Sequence, residues 1–292
     1  MERTLTLIGH HKQKAFFKNA LDAGNLSHAY IFAGMEGCGK KLFAKELARA
    51  LLCEEGRFFE DCACSSCRQI KETGHPDLYL FEKEELKIET VRQVAEISGM
   101  TSYSGKWKII IFDDAHLLAT AGADAANALL KSLEEPGEKT VFFLITHRLD
   151  RMIATIQSRC LTINFDPLSE DELYYVLEEL GAADKGVPYA HGSVQAAILL
   201  ADMDIPALKA ALDKTDKKAV AKIVLGFQDK EKLRAAVNFL IHYYTDRIKE
   251  EQKAETVSLI QYLNHFKKDL DYNVNINLSV LALSVQLNDY LS

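Results

Sequence analysis

The chain has 292 residues, a net charge of −7 and an apolar share of 48% against 26% charged, the balance of a soluble globular protein with room for two or three domains. No apolar run approaches the ~20 residues that a membrane span needs. The opening segment MERTLTLIGHHKQK has neither an apolar core nor a small-residue cleavage site, so a cytoplasmic protein is expected. The acidic balance argues against a dedicated nucleic-acid binder, which carries a basic footprint, and leaves any role at DNA to partners.

In chain order, the region from Leu5 to about Asn164 alternates short β-branched or aromatic runs with helical patterns. The strands are YIFA (30–33), DLYLF (77–81), KIIIFD (108–113), TVFFLIT (140–146) and LTINF (161–165). Helical spacing of apolar residues falls at Lys40–Leu52, at Ile88–Ser98 through Ile88, Val91, Val94 and Ala95, and at Ala121–Leu133. Strands that are apolar throughout are buried on both faces, which predicts an α/β fold: a parallel sheet with helical crossovers on both sides. After Asp166-Pro167 the strand signal stops, and Ser169 caps a helix running to Leu180. A lysine-rich stretch with Pro206, Lys214, Lys217 and Lys218 predicts a second boundary near 205–215. Amphipathic segments at Lys230–Glu250, Glu255–Leu270 and Asn275–Leu291 then read as a helical bundle. The expected domains are therefore 1–166, α/β; 167–207, small and helical; and 208–292, all-α.

Gly34, Gly37, Gly39 and Lys40 fit G-x-x-x-x-G-K, directly between the strand YIFA and a helix. Glycines in that place let successive backbone N–H groups turn inward as an anion cradle, with the positive end of the helix behind them and Lys40 reaching the terminal phosphates. The alternative is a plain βα turn. The next position usually supplies the hydroxyl that ligates Mg²⁺, and here it is Lys41, so hydrolysis is not expected. Asp113 and Asp114 end an apolar strand where one acid holds Mg²⁺ and the next polarises the attacking water. Asp in place of the usual Glu at 114 is one methylene short, and the plain alternative is that both acids cap the next segment. Thr146, at the end of TVFFLIT, either faces a γ-phosphate or serves as an ordinary strand-end residue.

Four of the six cysteines, Cys53, Cys62, Cys64 and Cys67, fall within fifteen residues. In a reducing compartment such crowding reads as a structural Zn²⁺ site with four thiolates and no open position, or else as free buried thiols. Cys38 and Cys160 lie outside the cluster and carry no metal role.

Taken together, HAYIFAG-x-x-G-x-GK (28–40), HPD (75–77), IFDDAH (111–116), LLKSLEEP (129–136), FFLIT (142–146) and SRC (158–160) resemble the bacterial clamp-loader branch of the AAA+ superfamily. The resemblance is strong from about Leu7 to Phe165. It fades in the helical region, where NVNINLSVLALSVQL (273–287) is similar to the last helix of the family's collar. It implies an AAA+ type P-loop domain with a zinc-binding insertion at 53–67, a helical lid at 167–207 and an oligomerisation collar at 208–292. The family's insertion is spaced C-x₈-C-x₂-C-x₂-C, one residue longer than here, so Asp61 enters as an alternative ligand. Some subunits of this family hydrolyse ATP and one kind does not. Lys41, Asp114 and Gln195, which stands in GSVQ (192–195) where the lid carries a sensor arginine, imply the second kind. Arg159 of SRC would then act on a neighbouring subunit's ATP site. Partners implied are the gamma/tau and delta subunits and, through the ring, the sliding clamp and primed DNA. An active gamma/tau-like ATPase and a nucleotide-sensing subunit without turnover are the rival readings, separated by turnover and by equilibrium binding. His28, His75, His116 and His191 are expected to be core or turn residues.

Overall fold

The computed structural model describes residues 7–82, 85, 86, 88–120, 123–251, 253–270, 272 and 274–291. Residues 1–6, the expected helix start at 121 and 122, Asn273, and the side chains of Ile88, Val91 and Asn127 lie outside the described residues. The chain divides into two units, Thr6–Leu168 and Ser169–Ser292.

The first unit is built on β1 (Ala29–Gly34), β2 (Leu78–Phe81), β3 (Lys108–Phe112), β4 (Thr140–Thr146) and β5 (Leu161–Phe165). All pairings are parallel and the spatial order is β2-β3-β4-β1-β5. Alternation along each strand decides which face a residue covers. Tyr30, Phe32, Ile109, Ile111, Val141, Phe143 and Ile145 form one core, and Ala29, Ile31, Ala33, Ile110, Phe112, Phe142 and Leu144 the other. Phe17 of α1 (His11–Asp22) and Phe43, Leu47 and Leu51 of α2 (Lys40–Leu52) close the first face. Val94 of α4 (Ile88–Gly99), Leu129 and Leu133 of α5 (Ala123–Glu134) and Ile156 of α6 (Ala154–Gln157) close the second. Three α-helices of this unit arise among the described residues that the apolar spacing did not predict, α1, α3 (Ser65–Glu72) and the single turn α6.

Gly34 ends β1 against β5. A Cβ there would stand 2.5 Å from the Phe165 carbonyl oxygen, so backbone must move to admit even a methyl. Gly34→Ala is expected to destabilise the unit by about 2 kcal/mol, roughly 4 to 8 °C in a thermal melt.

In the second unit, α7 (Glu170–Leu180) starts at a full capping box between Ser169 and Glu172 and stops at Gly181, whose φ of 64° suits glycine. It is followed by α8 (Val187–Ala190), α9 (Val194–Ala201), α10 (Ile205–Asp213), α11 (Lys217–Val224), α12 (Lys230–Glu251), α13 (Ala254–Asp269) and α14 (Ile276–Tyr290). The stretch read as a boundary near 205–215 is largely helix α10. Asp204 caps it, Pro206 occupies its first turn, and Leu208 and Leu212 enter a core with Leu200, Leu240, Leu263 and Leu283. Lys214 and Lys218 are exposed and lie on a solvated face. Among the described residues no helix is long and apolar enough to cross a membrane.

His242 on α12 stacks on His191, ring centroids 3.6 Å apart. Burial, and then the neighbouring His191 and Lys267, push His242 down to about 4, with Asp246 opposing. The unfolded chain therefore binds more protons between about 4 and 6.5, and stability is lost as pH falls through that window. Acid melts should show a loss on the order of 2 kcal/mol that His242→Phe flattens.

Candidate nucleotide and metal sites

The C-terminal ends of β1, β3 and β4 lie side by side, with Ala33 opposite Thr146 and Phe112 opposite Leu144. The chain leaves β1 for the far strand β2 and returns through β3 and β4, which makes this edge the switch point where α/β sheets bind ligands. The glycine loop issues from it. Gly39 has φ 98° and serves as N-cap of α2, a conformation that strains any residue with a Cβ. His10 Nε2 lies 2.7 Å from the Cys38 carbonyl and braces the loop from behind. Lys40 is buried and donates to the carbonyls of Gly34 at 2.8 Å and Met35 at 2.5 Å. Burial lowers its proton affinity, against the nearby Cys38, Glu36, Asp114 and Asp113.

Lys41 reaches across to two acids. Its Nζ is 2.5 Å from Glu82 Oε1 and 3.0 Å from Asp113 Oδ2. Partial burial opposes its charge, but the two carboxylates outweigh that and raise Lys41 above the ordinary lysine value. Asp113 is thus engaged by a protein cation. Asp114, with φ 52°, turns its carboxylate to His147, Oδ1 to Nδ1 3.1 Å. Thr146 is buried; its Oγ1 accepts from the Arg148 N–H at 2.9 Å and lies 3.2 Å from His116 Nδ1. The structure therefore joins Lys41, Asp113, Asp114 and Thr146 in one neighbourhood, adds Glu82 and His147, which the motifs did not single out, and brings in the buried His116, expected only as a core or turn residue. The available signals were the His in IFDDAH and the His directly after TVFFLIT.

Arg159 lies away from the loop residues, after α6. Its Nε donates to Glu134 Oε1 at 2.8 Å, Nη2 binds the same oxygen, and Nη1 donates to the Thr155 carbonyl at 2.9 Å. Glu134 closes α5 within LLKSLEEP, so two of the sequence motifs meet through one ion pair. HPD has a local task. Asp77 is buried and accepts from the backbone N–H groups of Tyr103 at 2.6 Å and Ser104 at 2.7 Å. Burial raises the Asp77 carboxyl, yet those donors prevail and hold it below its usual value. Gln195 belongs to the second unit, exposed in the first turn of α9.

Cys53, Cys62, Cys64 and Cys67 place their Sγ atoms within 4.8 Å of one another, and Cys53 and Cys64 are 4.0 Å apart. Tetrahedral Zn–S bonds of about 2.3 Å set neighbouring sulfurs about 3.8 Å apart, so the four residues fit a zinc ion. Backbone N–H groups support the sulfurs, Arg57 to Cys53 and Cys64 to Cys62, each at 3.4 Å. Arg49, buried on α2, approaches Cys67 at 3.9 Å. Burial works against the Cys64 thiolate, but hydrogen bonds from the Cys67 and Glu54 backbones and neighbouring thiols bring it to about 6. The short Cys62-x-Cys64 spacing is absorbed because Cys64 is the N-cap of α3 and Cys67 lies in its first turn. Asp61 stands outside the cluster, 97% exposed and 3.5 Å from Lys71. Cys38 and Cys160 are also apart from it; burial raises both, Cys160 to about 12.

Residues 9–169 match the family model described as "DNA polymerase III, delta subunit". The DNA polymerase III subunit delta' of Bacillus subtilis is 39% identical over 153 residues, 51% of this chain and 45% of that protein. Pseudomonas aeruginosa delta' is 34% identical over 154 residues, 51% and 46%. Subunit tau of Escherichia coli is 32% identical over 176 residues, 60% and 27%. The chain matches less than half the length of each of these relatives. Among solved structures, a DNA polymerase III gamma subunit-related protein of Thermotoga maritima has a TM-score of 0.50 at 16% identity, covering 96% of this chain and 100% of that one, a likeness of fold alone. With a P-loop parallel sheet of AAA+ type and a family match spanning more than half its residues, the chain belongs to the DNA polymerase III delta-subunit family.

Proposed function

We propose that this is a non-hydrolysing, delta-prime-type subunit of a bacterial clamp loader, acting in the cytoplasm as a rigid ring member during sliding-clamp loading. It joins gamma/tau and delta subunits through a collar at 208–292, follows an AAA+ domain at 1–166 with a lid at 167–207, and meets the clamp and primed DNA through the assembled ring. Arg159 completes a neighbour's ATP site, and zinc on Cys53, Cys62, Cys64 and Cys67 orders the insertion.

One observation carries the reading. Lys41 stands where a hydroxyl would ligate Mg²⁺, and its ammonium already holds Asp113 at 3.0 Å. A magnesium ion bridging phosphates there would sit against a fixed positive charge and compete for the same carboxylate. Asp114 compounds this, because its carboxylate engages His147. The purified chain is expected to show no ATP turnover above background, unchanged by Lys40→Ala. Turnover that disappears with Lys40→Ala would instead select a gamma/tau-like ATPase. A second reading, a nucleotide-holding subunit without turnover, has the intact glycine cradle and Lys40 in its favour. Saturable binding of ATP or ADP in equilibrium dialysis, lost in Lys40→Ala, would select it.

A further inference from the structure

We propose that Asp114, His116 and His147 form a binding site for a zinc-class divalent transition-metal ion at the C-terminal ends of β3 and β4. Each residue presents one ligand atom, and the three atoms lie within 4.8 Å of one another. The Asp114 Oδ1 to His147 Nδ1 separation of 3.1 Å is close to the edge of about 3.3 Å that tetrahedral bonds of about 2.0 Å require. Two imidazoles and one carboxylate are the donors of an N/O transition-metal centre with three protein ligands and room for a fourth.

The chemistry of the surroundings separates this ion from magnesium. Mg²⁺ demands oxygen ligands and is reluctant to lose water, while the adjacent carboxylate, Asp113, is paired with Lys41. The donors grouped with Asp114 are two imidazole nitrogens. His116 is buried and His147 has 14% of its side chain exposed, so the donors are shielded from water on most sides. Their rings meet edge to face with centroids 4.7 Å apart. Thr146 Oγ1, 3.2 Å from His116 Nδ1 and itself fixed by the Arg148 N–H, orients that imidazole as an outer-shell partner does in metal centres. Asp114 comes from the turn after β3, His116 from the 3-10 helix Ala115–Thr120 that follows it, and His147 from the residue after β4, so an ion here would tie the ends of two central strands together. This goes beyond the clamp-loader reading and does not depend on it.

The experiment separates this site from the cysteine cluster. The full chain is equilibrated with micromolar Zn²⁺ in excess Mg²⁺, and bound zinc is counted by elemental analysis. The wild type is expected to hold one equivalent more than His147→Gln or Asp114→Asn, both of which should melt as the wild type does without added Zn²⁺ and lack its gain in melting point when Zn²⁺ is present. Replacement by Co²⁺ should show that equivalent as a centre without a thiolate-to-metal charge-transfer band, retained in Cys67→Ser. Thr146→Val should weaken it by roughly 10- to 100-fold, the range for loss of an outer-shell partner. Equal zinc counts in the wild type and His147→Gln, or an extra equivalent bound only at millimolar zinc, would overturn the proposal.

Discussion

A ring rebuilt with Arg159→Ala in this subunit should assemble with unchanged composition and lose ATP turnover at the adjoining site by about 10³-fold or more, the scale of trans arginines in phosphoryl transfer. Assembly should survive because the substitution costs little locally. Arg159 and Glu134 have 34% and 49% of their side chains exposed, and an ion pair that open to water contributes at most about 1 kcal/mol. The catalytic loss comes from geometry. The guanidinium is held by Glu134 on its Nε edge and by Thr155 through Nη1, which fixes the plane in which it can meet phosphate oxygens. Arg159→Lys keeps the charge and loses the fork, so it is expected to recover little turnover. DNA-stimulated ATPase measured on the reconstituted ring checks both variants, and undiminished turnover in Arg159→Ala would defeat the role.

Stripping metal from the cysteine cluster is expected to have the larger effect on the fold. Residues 53–64 form no helix or strand; besides the thiolates, the loop is held by Arg49 Nη1 donating to the Glu60 carbonyl at 2.8 Å and Ser66 Oγ donating to Glu54 at 3.0 Å. Phe59, held at φ 55°, packs on Phe43 with ring centroids 5.3 Å apart, so the insertion also covers part of the core on α2. Structural zinc contributes apparent binding energies of ~10 to 16 kcal/mol in small peptides. Chelation, or Cys67→Ser, should therefore open 54–64 to proteases and lower the melting midpoint of the first unit by more than the Gly34→Ala change does. Asp61→Ala should leave both unchanged, since its carboxylate lies in solvent beside Lys71. Identical protease patterns before and after chelation would remove zinc from this account.

Local pattern carried much of this architecture. Each of the five strands was written around at least three consecutive apolar or β-branched residues, and α2 begins at the Lys40 that the glycine motif named. Spatial order is a different matter, because nothing in YIFA states that it lies between β4 and β5 rather than beside β2. The lysines near 214 show a related limit. Composition registers charge, whereas Leu208 and Leu212 decide where α10 packs. At the site, motif spacing located Lys41, Asp113, Asp114 and Thr146, but not their partners. Glu82 lies 41 residues from Lys41 and His147 lies 33 from Asp114, separations across which periodicity is silent. The same holds for Glu134 and Arg159, which two motifs marked separately and only the folded chain brings together.

The position of β1 has a consequence for biosynthesis. Both of its edges are completed by late strands, Ala29 meeting Phe142 and Tyr30 meeting Leu161. More than a hundred residues must leave the ribosome before either hydrogen-bonding edge of this first strand is covered. Until Thr146 emerges, a nascent chain exposes the apolar run AYIFA with no native strand partner, and until Phe165 emerges one edge stays open; parallel pairings of such high sequence separation form slowly. The strand that carries the glycine loop is therefore among the last parts of this unit to gain its full set of hydrogen bonds, and its open edges need shielding from other chains until then.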